Sequence, residues 1–124
     1  MNILKKAIAG GALAVVATAA LAAGTASSAS AGWSDCAGGD LCAYLSANGG
    51  GTPGRVADDN ANLLQYNKFN NAVSLYNNGN SCNVRIYSGL NWSGSSFVLP
   101  RGYTAPDLSG TVYYKNVASN DWCV

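Results

Sequence analysis

The chain has 124 residues, 48% of them hydrophobic and only 10% charged, with seven Lys and Arg, six Asp and Glu, and no histidine. A formal net charge of +1, with no basic stripe, excludes the phosphate neutralisation that nucleic-acid binding demands. Without histidine or glutamate, neither a Ser-His nor a Cys-His nucleophile can be assembled, so an enzyme is not expected.

Residues 1–31 begin with Lys5 and Lys6, run uncharged and apolar from Ala7 to about Ala23, and end Ala29-Ser30-Ala31. This is the layout of a secretory signal with an A-x-A cleavage site. The run is Ala-rich and short of the roughly 20 strongly apolar residues a membrane span needs. The expected product is an extracellular domain of residues 32–124, with no membrane attachment once the signal is cleaved. It keeps Arg55, Lys68, Arg85, Arg101 and Lys115 against Asp35, Asp40, Asp58, Asp59, Asp107 and Asp121, five charges against six, a net −1. Asp58 and Asp59 are too close in sequence to act as a glycosidase pair, because on a strand they point to opposite faces.

A domain of this size has a thin core for its surface and usually carries staples. Cys36, Cys42, Cys82 and Cys123 all fall in the exported part, where two disulfides are expected. Four cysteines allow three pairings. The favoured one is Cys36 with Cys42, since the intervening "AGGDL" can turn at Gly38 and Gly39, leaving Cys82 for Cys123. In the chain-entropy picture the short loop contributes about 2.4 kcal/mol and the long one about 3.9 kcal/mol. A zinc site is excluded by the absence of histidine and of closely spaced Cys pairs.

Along the rest of the chain, "LCAYLS", "VRIYS", "SFVLP" and "TVYY" read as short strands, separated by "ANGGGTPG", "NNGNS", "GLNWSGS" and "PRGYTAPDLSG". In "KFNNAVSLYNN" a short apolar run reads as one more strand between Asn-rich turns. No helix is expected after the signal, and the pattern points to an all-β sandwich or barrel. Tyr44 is followed after six residues by Gly51, and Tyr87 after six by Gly94, with Asn48 matching Asn91. "FNNAVS" (Phe69 to Ser74) likewise matches "YKNVAS" (Tyr114 to Ser119). The domain therefore reads as two copies of a unit of about forty residues, one over about 41–78 and the other over about 82–124. Two such four-stranded Greek keys can pack as a sandwich.

The doubled pattern of an aromatic, six intervening residues, a glycine, and a later serine resembles the βγ-crystallin Greek key. The resemblance implies that Gly51 and Gly94 adopt a backbone conformation closed to other residues, and that Ser74 and Ser119 pin the first hairpin of each copy through their hydroxyls. "CAGGDLC" further resembles the opening of secreted actinobacterial metalloproteinase inhibitors, which carry a single βγ-crystallin-like domain. Small killer-toxin-like proteins share the fold.

Three functions follow as expectations. In the first, a monomeric, disulfide-tied domain inhibits a secreted metallopeptidase. Its loop would span residues 77–84, with Ser81, Cys82, Asn83 and Val84 as contact residues and Val84 as an apolar anchor. The chain departs from the inhibitor pattern here, because no cysteine follows Cys82 until Cys123. The second is a calcium-binding module without a protease target. The microbial βγ-crystallin motif offers oxygens at Asn70, Asn71 and Ser74, although Leu75 stands where a final serine is usual. At the second copy Lys115 would repel a divalent ion, and no cofactor is required for the fold. The third is a killer-toxin-like role against competing microbes. The sequon at Asn91-Trp92-Ser93 falls inside the repeated turn.

Overall fold

The computed structural model describes residues 5–6 and 32–124; the rest of the expected signal, with its cleavage site, lies outside the described residues. Among the described residues, the strands are β1 (Lys5–Lys6), β2 (Asp40–Tyr44), β3 (Gly54–Val56), β4 (Ser74–Asn78), β5 (Val84–Gly89), β6 (Ser93–Leu99), β7 (Tyr103–Ala105) and β8 (Ser119–Trp122). They form two antiparallel sheets, ordered β1-β7-β4-β2-β3 and β6-β5-β8. No helix among the described residues is long and apolar enough to cross a membrane.

Each half of the repeat is a Greek key whose third segment crosses to the other half's sheet. From the second key, β7 pairs with β4 of the first through Leu75↔Ala105 and Tyr76↔Thr104. From the first key, Asn60 bridges to Asn120 in β8, and the two residues exchange backbone hydrogen bonds of 3.0 Å. The exchange is reciprocal. Neither key can leave without breaking ladder bonds in both sheets.

Period-two alternation puts Val84 and Ile86 of β5 inside and leaves Arg85 and Tyr87 partly exposed. Leu41, Ala43 and Leu75 face them from the other sheet, and Leu63, Phe69, Leu108 and Val117 fill the space around these rows. Each fully buried aliphatic side chain contributes about 1.5–3 kcal/mol relative to exposure.

The sequence repeat is also a repeat of hydrogen bonds. In the first hairpin the Ser74 hydroxyl donates to Ser46 O at 2.7 Å and accepts from Gly49 N–H at 3.0 Å. In the second the Ser119 hydroxyl donates to Gly89 O at 2.7 Å and accepts from Trp92 N–H at 3.0 Å. Gly51 and Gly94 sit at φ +88° and +80°, as the resemblance implies. At Gly51 the demand is conformational rather than steric, because an added Cβ would meet nothing within 4 Å.

Both disulfides form as expected, Cys36 to Cys42 and Cys82 to Cys123. The first is buried beside Tyr44 in a small cluster capped by Trp33 and Tyr76. Trp33 meets Tyr44 edge-on at 5.1 Å, and the Tyr44 hydroxyl donates to Gly32 O at 2.8 Å. Tyr87, at the equivalent place in the second copy, instead donates to the Asp121 carboxylate at 3.3 Å. Burial first, and the Asp121 charge second, push its phenol above the ordinary range.

Three expectations are corrected. A short helix, α1 (Asn67–Asn70), lies where none is expected, and it takes up the start of "KFNNAVSLYNN", so the strand there begins only at Ser74. One turn of helix is too short to show a 3.6-residue period. "TVYY" forms turns rather than a strand: Thr111 N–H bonds back to Leu108 O at 3.0 Å and Tyr114 N–H to Thr111 O at 3.3 Å. Its Tyr113 is buried against Phe97, with ring centroids 4.7 Å apart. Finally, β7 lies within the stretch "PRGYTAPDLSG" read as a turn, and β3 runs from Gly54, the end of the turn "ANGGGTPG", through Arg55 and Val56, which the sequence pattern assigns to no element; three-residue strands carry too little pattern to separate from their Gly and Pro neighbours.

Two predictions follow. Ser74→Ala and Ser119→Ala each strand a hairpin N–H and carbonyl, and each should lower stability by about 1–3 kcal/mol in thermal melts, whereas Ser109→Ala, at an exposed position, should not. Burial, then the Asp35 charge and Tyr76, hold the Tyr44 phenol well above its ordinary 10.0. The folded chain therefore keeps a proton that the unfolded chain loses above pH 10, so this contribution is complete below that pH and falls as pH rises further. Tyr44→Phe should flatten the alkaline loss in denaturation curves; an unchanged slope would assign that loss to other groups.

Candidate functional site

The two Greek keys are joined by a loop over residues 79–83, between the end of β4 and the start of β5. Its surface is Asn80, Ser81 and Asn83, which are exposed, with Cys82 half-buried. Beneath it lies the Asn77 side chain, which is wholly buried. The Asn77 amide nitrogen donates to Leu99 O at 2.9 Å and to Cys82 O at 3.1 Å, while its oxygen accepts from Gly79 N–H at 2.8 Å. One carboxamide thus ties both ends of the loop to the neighbouring strand.

Arg101 holds the middle. Its Nε donates to Gly79 O at 3.0 Å and Asn80 O at 2.7 Å, and its backbone N–H donates to the Asn83 side-chain oxygen at 3.1 Å. On the far side the Cys82–Cys123 bridge and a 2.8 Å bond from Cys123 N–H to Asn83 O fasten the loop to the end of β8. Gly79 lies on the Trp122 indole so closely that a Cβ would fall 2.7 Å from Cζ3. An open groove of about 570 Å³ runs beside the loop, lined by Gly39, Asp58, Asp59, Asn80 and Trp122 among others. Asp59 is fixed there by a 2.7 Å bond from Trp122 N–H.

The backbone carbonyls of the loop are therefore almost all spoken for. Those of residues 79 and 80 go to Arg101, that of Cys82 to Asn77 and that of Asn83 to Cys123. Only the Ser81 carbonyl has no donor among the described residues.

Of the expected contact residues, the structure brings Ser81, Cys82 and Asn83 together on one surface. It corrects Val84, which is 0% exposed, pairs with Leu99 and Trp122, and belongs to the core; it cannot serve as an apolar anchor for a partner. Asn77 and Arg101 were not singled out from the sequence. Period two from Leu75 puts Asn77 on the inner face, a polar residue at a core position, and that was the available signal. Arg101 lies more than twenty residues from the carbonyls it binds and carries no local signal.

Asn70, Asn71 and Ser74 fall at the end of α1 and the start of β4. The Asn71 amide nitrogen donates to Asn67 O at 3.1 Å and Oδ1 at 3.0 Å, which fastens the helix end. The Ser74 hydroxyl is buried, donates to Ser46 O and accepts from Gly49 N–H. Among the described residues no three His, Cys, Asp or Glu side chains cluster as metal ligands.

Asn77→Ala would leave buried backbone groups at Gly79 and Leu99 unpaired. A loss of about 2–4 kcal/mol is expected, with faster amide exchange at Gly79 than in the parent. Exchange at Gly79 as slow as in the parent would mean that the carboxamide does not hold the loop.

The profile of peptidase inhibitor family I36 matches residues 29–99, more than half of the chain. No curated protein matches the sequence. Among solved structures, a βγ-crystallin from Ciona intestinalis is 19% identical with a TM-score of 0.55, over 67% of this chain and 98% of its own. IPSE/alpha-1 from Schistosoma mansoni eggs is 18% identical with a TM-score of 0.57, over 71% of this chain and 88% of its own. A βγ-crystallin domain from Clostridium beijerinckii is 19% identical with a TM-score of 0.53, over 68% and 97%. At such identities the likeness establishes the βγ-crystallin fold and nothing more.

Proposed function

The chain belongs to peptidase inhibitor family I36, and from that premise we propose that it is a secreted protein that blocks an extracellular metallopeptidase with the loop over residues 79–83. The observation that carries this reading is the Ser81 carbonyl, which has no donor among the described residues, in a loop whose other carbonyls are bonded within the protein. A metallopeptidase polarises a peptide carbonyl at its metal, and the Ser81–Cys82 bond is the one this loop offers. The family match supports a peptidase as partner; the choice of a metallopeptidase rests on the resemblance of "CAGGDLC" to the inhibitors of such enzymes.

A loop already held in shape loses little freedom on binding. Were the bond between Ser81 and Cys82 cut, the upstream end would stay on Arg101 through the carbonyls of Gly79 and Asn80. The downstream end would stay on Cys123 through the disulfide. The new termini would remain side by side, so hydrolysis gains little separation entropy and resealing competes with release. Recognition would come from Asn80, Ser81 and Asn83, which are small and polar, and this loop therefore suits shallow subsites rather than a deep apolar pocket.

The test is a panel of secreted peptidases incubated with the purified domain. A stoichiometric complex with a metallopeptidase is expected, and Asn80→Trp and Ser81→Glu should each weaken it by about tenfold or more while circular dichroism is unchanged. Inhibition of serine peptidases alone would remove the metallopeptidase assignment. Folded variants that inhibit as the parent does would remove the loop.

A further inference from the structure

An asparagine side chain is lost spontaneously when the backbone nitrogen of the next residue attacks its Cγ. The new N–Cγ bond closes a five-membered succinimide, the Cγ–Nδ2 bond breaks, and Nδ2 departs as ammonia with the amide proton. Water then opens the ring at either carbonyl, giving aspartate or isoaspartate. The reaction needs a free backbone N–H and a side chain able to swing onto it, and a small following residue favours it. By sequence, Asn48 and Asn78, each before glycine, are the vulnerable sites, and Asn80, before serine, ranks behind them.

The structure reverses that order. At Asn48 the attacking nitrogen is that of Gly49, whose N–H is held by the Ser74 hydroxyl at 3.0 Å. At Asn78 it is that of Gly79, held by the Asn77 oxygen at 2.8 Å. The Asn78 side chain is also tied, donating to Cys36 O at 2.7 Å and accepting from the Tyr76 hydroxyl at 3.3 Å. Asn80 is different on both counts. It is exposed, its side chain leans over Gly39, and among the described residues neither that side chain nor the Ser81 N–H has a hydrogen-bond partner.

We infer that Asn80 is the site of spontaneous deamidation in the folded protein, and that the fold shields the two Asn-Gly pairs. The product puts a carboxylate, and in the isoaspartate form an extra backbone carbon, in the loop along the groove that Asp58 and Asp59 also line. Its effect on inhibition rests on the function proposed above: conversion of residue 80 would age the inhibitor, and Asn80→Asp reproduces its charge.

The experiment is peptide mapping by mass spectrometry after incubation in warm, mildly alkaline buffer, on the native protein and on the same protein reduced and denatured. In the native sample acid should accumulate at residue 80 several-fold faster than at residues 48 and 78. In the denatured sample the order should reverse, with the Asn-Gly pairs converting first. The same order in both samples, or an Asn80 that persists as long as Asn48 and Asn78 in the native one, would overturn the inference. The mass readout involves no peptidase, so its failure leaves the inhibitor reading standing, and the absence of inhibition leaves this chemistry standing.

Discussion

The side chain of Asn77 is the point on which the shape of the loop between the Greek keys depends. A polar group at a core position is costly unless every donor and acceptor on it is met. Here the partners are three backbone groups at both ends of one loop and on the adjacent strand. Satisfying the carboxamide and shaping the loop are the same event. The loop therefore needs no apolar content of its own, and its residues can be chosen for what they show to solvent. Arg101 adds a second brace of the same kind, drawing the carbonyls of residues 79 and 80 inward.

The frame beneath that loop is a duplicated unit whose copies exchange a segment. Pairing of β7 with β4, and of Asn60 with Asn120, makes the sandwich one cooperative body in spite of its small core. The connection between the copies then runs from one sheet to the other, and both of its ends are anchored in strands. The Cys82–Cys123 bridge closes the second copy upon itself at that same connection. The other bridge lies on the far side of β2, packed with Tyr44, and consolidates the start of the domain.

The parts of the fold that were legible in the sequence are those where backbone geometry restricts residue choice. Gly51 and Gly94 must reach positive φ, and Ser74 and Ser119 must serve a fixed pair of backbone groups, so these residues recur at matching offsets. The disulfide pairing was legible because the short spacing of Cys36 and Cys42 left one partner for Cys82. Less legible were β3, β7 and α1, each three or four residues long. Val84 shows a different limit: the alternation of Val84 with Ile86 marks a core face, and the structure bears that alternation out against a role at the surface. The braces at Asn77 and Arg101 come from contacts distant in sequence, and only the polar residue on an inner face hinted at the first.

The claim that the loop between the Greek keys is the surface that meets a peptidase is tested most directly by amide hydrogen exchange on the complex. On binding, residues 80–83 should gain protection while the two hairpins, at residues 46–51 and 89–94, exchange as in the free protein. Protection centred on either hairpin, with residues 80–83 unchanged, would contradict the account.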